Sequence, residues 1–217
     1  MIFQEKSYNL HVGYSALPPG EKWQQYELKA QGVRDFARIR SNAPLNPFEL
    51  ARFANLLVVD VKQIKGLSKG ARQHLLGSAS EEWSGGASSR PLPDGQRIVI
   101  LNPNHGPMRT NATLMEEICH VFLGHKANRL SVIGPDERGR FRARDYKKQD
   151  EEAAYAIGAA ALVPYVVLRR FVLKGQNSHE IARHFRVSRE LVEYRLKVTR
   201  LWKNYRSERE AQEANGA

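Results

Sequence analysis

Three polar residues on one stretch carry most of the chemistry this sequence can do. Glu116, Glu117 and His120 lie within Thr110–Leu123, whose remaining residues are largely apolar. At about 100° per residue, His120 falls at ~40° from Glu116 and Glu117 at ~100°, while Met115, Ile118, Cys119, Phe122 and Leu123 fill the opposite arc. A helix that is apolar nearly all round is buried, so this stripe has to meet water in a cleft, other charges or a metal ion. The i, i+4 spacing of Glu116 and His120 suits both to one cation, and Glu117 beside them is placed to take a proton from water activated there. The same geometry makes His-Glu-x-x-His a hydrolytic zinc motif, although here the first position is Glu. Five residues alone are equally what an ordinary acidic face with a hydrogen-bonded histidine looks like.

Glu151 and Glu152 open a second apolar helix, Ala153–Val163, which Pro164 stops. Its small residues permit close approach to a neighbouring helix, and that would bring Glu151 to the stripe as a third ligand. A favourable charge at a helix N-terminus is the plainer reason for Glu151, and the two are compatible. Other reactive side chains rank lower. Cys119 points into the apolar face, where a thiol is inert. Unless the helix ends before it, His125 lies about 140° from His120 on the wheel, which suits a capping or helix-dipole role better than chelation. His105 sits in the loop ahead of the helix.

These residues need elements to hold them. Trp23, Tyr26, Ala30, Val33, Phe36 and Ala37 recur at helical spacing after Pro18-Pro19-Gly20, which predicts an amphipathic helix against the main body. Asn46-Pro47-Phe48-Glu49 combines a cap, a proline at the first helical position and a glutamate three residues on. Leu56–Val61 and Arg97–Asn102 read as strands, with a helix around Lys69–Leu76 between them. From Gly77 to Gly95, 11 of 19 residues are Gly, Ser or Pro, which argues against a regular element there. Gly134-Pro135-Asp136, flanked by alternating apolar residues, suggests a hairpin rich in Arg and Lys. Pro164 is placed to open a further helix through Leu173.

The chain has 217 residues, a formal charge of +11, 41% apolar residues and one cysteine. That composition supports a real core and argues against disorder as the main state. A single Cys119 excludes an intramolecular disulfide framework and any multi-cysteine zinc site. Met1–Lys6 has no basic region followed by an apolar run, as a secretory signal does. The longest apolar stretch, Ala153–Leu168, falls short of the ~20 residues a spanning helix needs. A cytoplasmic protein with no membrane partner is expected; the oligomeric state is left open.

From Asn46 to about Leu201 the sequence resembles the ImmA/IrrE family of metallopeptidases. The resemblance rests on Asn46-Pro47-Phe48-Glu49-Leu50-Ala51, Trp83-Ser84-Gly85, Ile98–Asn102, Arg109, Thr113–His125, Arg144-Asp145-Tyr146, and Glu151-x-x-Ala154 ending in Leu162-Val163-Pro164. It implies an α+β, zincin-like core with an active-site helix, a small sheet and a following ligand helix. It also implies peptide hydrolysis, typically of a repressor-type protein. Carried over by position, Glu116, His120 and Glu151 are the metal ligands and Glu117 is the general base. The departure is Glu116, where the family usually has His. Two carboxylates and one imidazole make a harder donor set, so zinc is the first candidate while manganese or iron becomes possible. A catalytically silent core that kept the fold is the alternative.

The charge is uneven. From Arg169 onward there are 12 Lys/Arg against 6 Asp/Glu. Ser178–Leu196 reads as a helix-turn-helix, with Ser178 and Ser188 as caps, Ala182 at the crossing and Val187 in the turn. Arg189, Arg195 and Lys197 on its second helix are the candidate DNA contacts, with Arg200 and Lys203 beyond. A helix pair that merely packs on the core satisfies the same pattern. Ala211 onward looks frayed. The expected organisation is an N-terminal extension over 1–45, a metallopeptidase core over 46–173 and a basic helix-turn-helix-like segment over 174–217. The protein is expected to act on a protein substrate; otherwise it is a silent core that binds DNA in transcriptional control.

Overall fold

A computed structural model describes residues 16–64, 67–88, 91–125 and 148–215. In chain order the elements are α1 (Glu21–Phe36), α2 (Pro47–Phe53), β1 (Leu56–Asp60), α3 (Lys69–Leu76), β2 (Gly85–Ala87) and β3 (Arg97–Leu101). They continue with α4 (Pro107–Phe122), α5 (Lys148–Leu162), α6 (Tyr165–Leu173), α7 (Ser178–Phe185), α8 (Arg189–Val198) and α9 (Trp202–Asn215). The class is α+β, a small sheet against a larger set of helices. The hairpin expected around Gly134 and the Arg144-Asp145-Tyr146 stretch lie outside the described residues.

Local chemistry sets most boundaries. Asn46 caps α2 by accepting from the Phe48 amide at 3.0 Å, and Pro47 follows it. Both α4 and α5 begin three residues before the sequence suggested. Pro107, at the first position of α4 behind Gly106, opens that helix rather than breaking the chain. The strand beginning at Leu56 ends at Asp60, whose carboxylate caps a short 3-10 turn, Val61–Gln63.

The sheet has the order β1-β3-β2. β3 runs parallel to β1, with Leu57 opposite Ile98, and antiparallel to β2, with Gly85 opposite Leu101. Strand β2 corrects the expectation that 77–95 holds no regular element. Its pairing partner, not its own composition, makes it a strand, as tertiary context often does. Gly85 is required by space: a Cβ there would lie 2.6 Å from Thr113 Cγ2 on α4 and 3.1 Å from the Ile100 carbonyl. The loop before it is pinned by Trp83, whose indole donates to the Leu75 carbonyl at 2.9 Å.

Helix α4 lies between the sheet and α5. Leu114, Met115, Ile118 and Cys119 are buried, as are Ala154, Ile157, Ala160 and Ala161 of α5, and all belong to one core. The helices come close at Gly158. A Cβ there would stand 3.4 Å from Met115 Cγ and 3.5 Å from the Glu116 amide nitrogen, so a methyl fits in contact with α4.

The far sides of α5 and α6 are tied by polar anchors. Arg34 of α1 donates to the carbonyls of Ala161, Arg40 and Ala43, closing the C-terminal end of α5 with a positive charge. Burial pulls its guanidinium down to about 10, which still leaves it charged at neutral pH. Glu27 of α1 accepts from the Tyr165 amide and pairs with Arg195 of α8, whose Nε donates to the Val163 carbonyl at 3.0 Å. One buried ion pair thus joins α1, the α5–α6 corner and α8.

Helices α7 and α8 cross behind this corner, joined by a turn in which Arg186 is left-handed at φ 56°. Asn177, not Ser178, caps α7: its side chain accepts from the Glu180 amide while Glu180 accepts from the Asn177 amide. Ser188 caps α8 as expected. The C-terminal residues continue as helix through Asn215 rather than fraying at Ala211. Among the described residues no single helix is long and apolar enough to cross a membrane.

Two substitutions test this packing. Gly158→Ala should be tolerated, with the helix-propensity gain of about 1 kcal/mol offset by tighter contact, whereas Gly158→Leu should lower the Tm by forcing α4 and α5 apart. Arg195→Met, which strands the buried Glu27 charge, should cost about 3–5 kcal/mol in urea unfolding. Glu27→Leu combined with Arg195→Met should recover much of that loss.

Candidate metal centre

The third and fourth turns of α4 meet the N-terminal end of α5, whose alanines and Gly158 let the two helices pack closely. Glu117 and His120 are buried, while Glu116 and Glu151 are half-buried. Glu116, His120 and Glu151 each offer one ligand atom, and these atoms all lie within 4.8 Å of one another. His120 Nε2 stands 3.8 Å from Glu151 Oε2. Donors on one ion at about 2.0–2.2 Å are at most about 4.4 Å apart, so a small side-chain rotation would let the three reach one divalent cation. The donor chemistry fits as well, since two carboxylates and a neutral imidazole match zinc, manganese or iron.

The choice between adjacent glutamates is made by α1. Glu152 turns away and pairs with Lys22 at 2.5 Å, so Glu151 alone faces α4. That contact raises the Lys22 ammonium above its ordinary range. Glu117 sits one residue on from Glu116 and holds its carboxyl in the protein interior at 3% exposure, next to the ligand cluster but outside it.

Cys119 is fully buried on the opposite face. Burial, then the Glu116 charge, pushes its thiol far above the ordinary range, which makes it no nucleophile. Tyr155, one turn beyond Glu151, is pushed up by burial and by Glu116, and its ring meets Tyr194 of α8 edge-on at 5.0 Å. His105 stays apart from the cluster; burial lowers its imidazole, Arg109 lowers it further and Glu81 opposes.

His125 is the residue that helical periodicity misplaced. The helix ends at Phe122, Gly124 turns at φ +66°, and the His125 amide donates back to the His120 carbonyl at 3.0 Å. This return carries the imidazole back to the site: His125 Nδ1 lies 3.0 Å from His120 Nδ1, and His125 Nε2 lies 3.8 Å from Asp150 Oδ1. Burial lowers the His125 imidazole below its ordinary range, with Asp150 opposing. Gly124, a common helix-ending residue, marks in the sequence where helical periodicity ceases to apply.

The basic C-terminal residues divide. Arg189 is exposed and paired with Glu193 at 3.1 Å. Lys197 is exposed, its ammonium 5.2 Å from the Trp202 ring centre. Arg195 is not available to DNA. It is 2% exposed and committed to Glu27 and Val163, because its position on α8 faces the core.

Similarity to known proteins bears on what this centre belongs to. The family described as Peptidase_M78, IrrE N-terminal-like domain, matches residues 78–197. No curated protein matches the sequence. Among solved structures, a Mycobacterium tuberculosis transcriptional regulator is similar at 17% identity and a TM-score of 0.48, over 79% of this chain and 46% of that one. The chain therefore spans less than half the length of that regulator. With the match running over more than half of its residues, from the loop before β2 through the two ligand-bearing helices to α8, the chain belongs to the IrrE N-terminal-like Peptidase_M78 family.

Proposed function

We propose that this protein is a metal-dependent endopeptidase that hydrolyses a peptide bond in a regulatory, repressor-type protein. The observation that carries the reading is the convergence of Glu116, His120 and Glu151 from two helices beside the buried carboxyl of Glu117. Zinc is the first candidate for the ion, with manganese or iron admitted by the second carboxylate. When bound, a divalent ion supplies a Lewis acid that polarises the scissile carbonyl and makes water a nucleophile near neutral pH.

The chain's own residues do the rest. Glu116, His120 and Glu151 would hold the ion on the seam between α4 and α5, where Glu116 and Glu151 are partly exposed. Glu117 takes the proton of the attacking water and returns it to the departing amine, so that water is divided between the new carboxyl and the new amino terminus. Replacing the family's usual first histidine by Glu116 adds a negative charge to the ligand set. That charge would strengthen the electrostatic hold on a divalent ion and lower its Lewis acidity. The family match and the donor geometry support this reading, while the substrate class rests on the resemblance.

Elemental analysis of the purified protein should find close to one divalent metal per chain, lost in His120→Ala and in Glu151→Ala. Glu117→Ala should keep its metal and lower the cleavage rate by at least about 10²–10⁴-fold on a repressor-type substrate. Wild-type protein that takes up no metal, yet binds duplex DNA in a salt-dependent way, would move the function to the silent DNA-binding alternative.

A further inference from the structure

A histidine that gives one ring nitrogen to a metal must do something with the proton on the other. For His120 the question is acute because the residue is 1% exposed. Its Nε2 faces Glu151, so the nitrogen left over is Nδ1, and the group across from that nitrogen is the Nδ1 of His125 at 3.0 Å. Two facing ring nitrogens attract only if one carries hydrogen and the other does not. With Nε2 of His120 donating its lone pair to an ion, the hydrogen has to be on its Nδ1, and His125 Nδ1 has to be bare. A neutral His125 with a bare Nδ1 carries its own hydrogen on Nε2, and the Asp150 carboxylate, with Oδ1 3.8 Å away, lies beyond hydrogen-bond distance but close enough to attract that hydrogen electrostatically.

We infer that His125 and Asp150 are positioning residues that complete the metal centre, holding His120 as the Nδ1–H tautomer with its Nε2 lone pair on the ion. The inference rests on the Glu116–His120–Glu151 reading of the site and extends it to two residues that touch no ion themselves. Three features of the chain make the arrangement. Gly124 reverses the backbone after α4, the His125 amide locks that reversal onto the His120 carbonyl, and Asp150 precedes the ligand Glu151 on α5. The ligands and their supports thus come from α4 with the turn that follows it, and from the first turn of α5. Ligand and support move together, which keeps the imidazole aimed whenever α4 and α5 are packed.

The imidazoles also meet edge-on, ring centres 5.1 Å apart at 68°, so a simple packing role must be separated from a hydrogen-bonding one. Two variants do this. His125→Phe keeps a ring in place and removes the acceptor. His125→Asn removes the ring and keeps an oxygen near the position of Nδ1. Zinc dissociation constants, measured on metal-free full-length protein by competition with a chromophoric chelator, should weaken about 10–100-fold in His125→Phe and in Asp150→Ala. His125→Asn should recover most of the affinity. Nitrogen-15 spectra of the zinc-loaded wild type should show His120 protonated at Nδ1. Unchanged zinc affinity in His125→Phe, or affinity retained there and lost in His125→Asn, overturns the inference while leaving the metal site standing. Wild-type protein that binds no zinc, manganese or iron overturns the underlying reading and the inference with it.

Discussion

The close packing of α4 on α5 is the constraint on which the rest of this structure depends. Neither helix holds a site alone. α4 supplies Glu116, Glu117 and His120, and α5 supplies Glu151 and Asp150. They meet because α5 is built from alanine and glycine where it touches α4, with Gly158 against the Met115–Glu116 backbone. A large residue at that seam would push Glu151 away from Glu116 and His120. The apolar burial that stabilises the seam, at roughly 25 cal/mol per Å², is therefore also what sets the ligand geometry.

Such a seam needs its outer face fixed, since small residues interlock weakly. α1 does this from the other side. Arg34 holds the C-terminal carbonyls of α5 and the loop after α1, Lys22 holds Glu152 near its start, and Glu27 grips the α5–α6 corner together with Arg195. The Glu27–Arg195 pair is buried, so removing one partner is costly because the other charge stays buried, whereas Lys22–Glu152 lies at the surface. The basic surplus of the C-terminal region is accordingly put to two uses: Arg195 works inside the fold, and Arg189 and Lys197 face outward.

Much of this was legible in the sequence because it depends on short-range rules. The stripe of Glu116, Glu117 and His120 follows from helical period alone, and the small residues of Ala153–Val163 announced a close helix contact. Caps at Asn46 and Ser188 and the stop at Pro164 were equally local. The failures have a shared cause. β2 exists because β3 offers it an edge, Arg195 is buried because Glu27, 168 positions away, awaits it, and His125 returns to His120 because the helix ends first. Each depends on a partner that no local window contains. Ser178 is the exception. There the capping box Asn177…Glu180 was present in the sequence and was read one residue late.

The proposed function requires one ion shared by two carboxylates and a single imidazole across the α4–α5 seam. X-ray absorption at the metal edge of the loaded protein tests it most directly, because the scattering pattern of imidazole differs from that of carboxylate and from sulfur. The account predicts an oxygen-rich first shell with one imidazole and no sulfur. A first shell containing two or more imidazoles, or any thiolate, would contradict it.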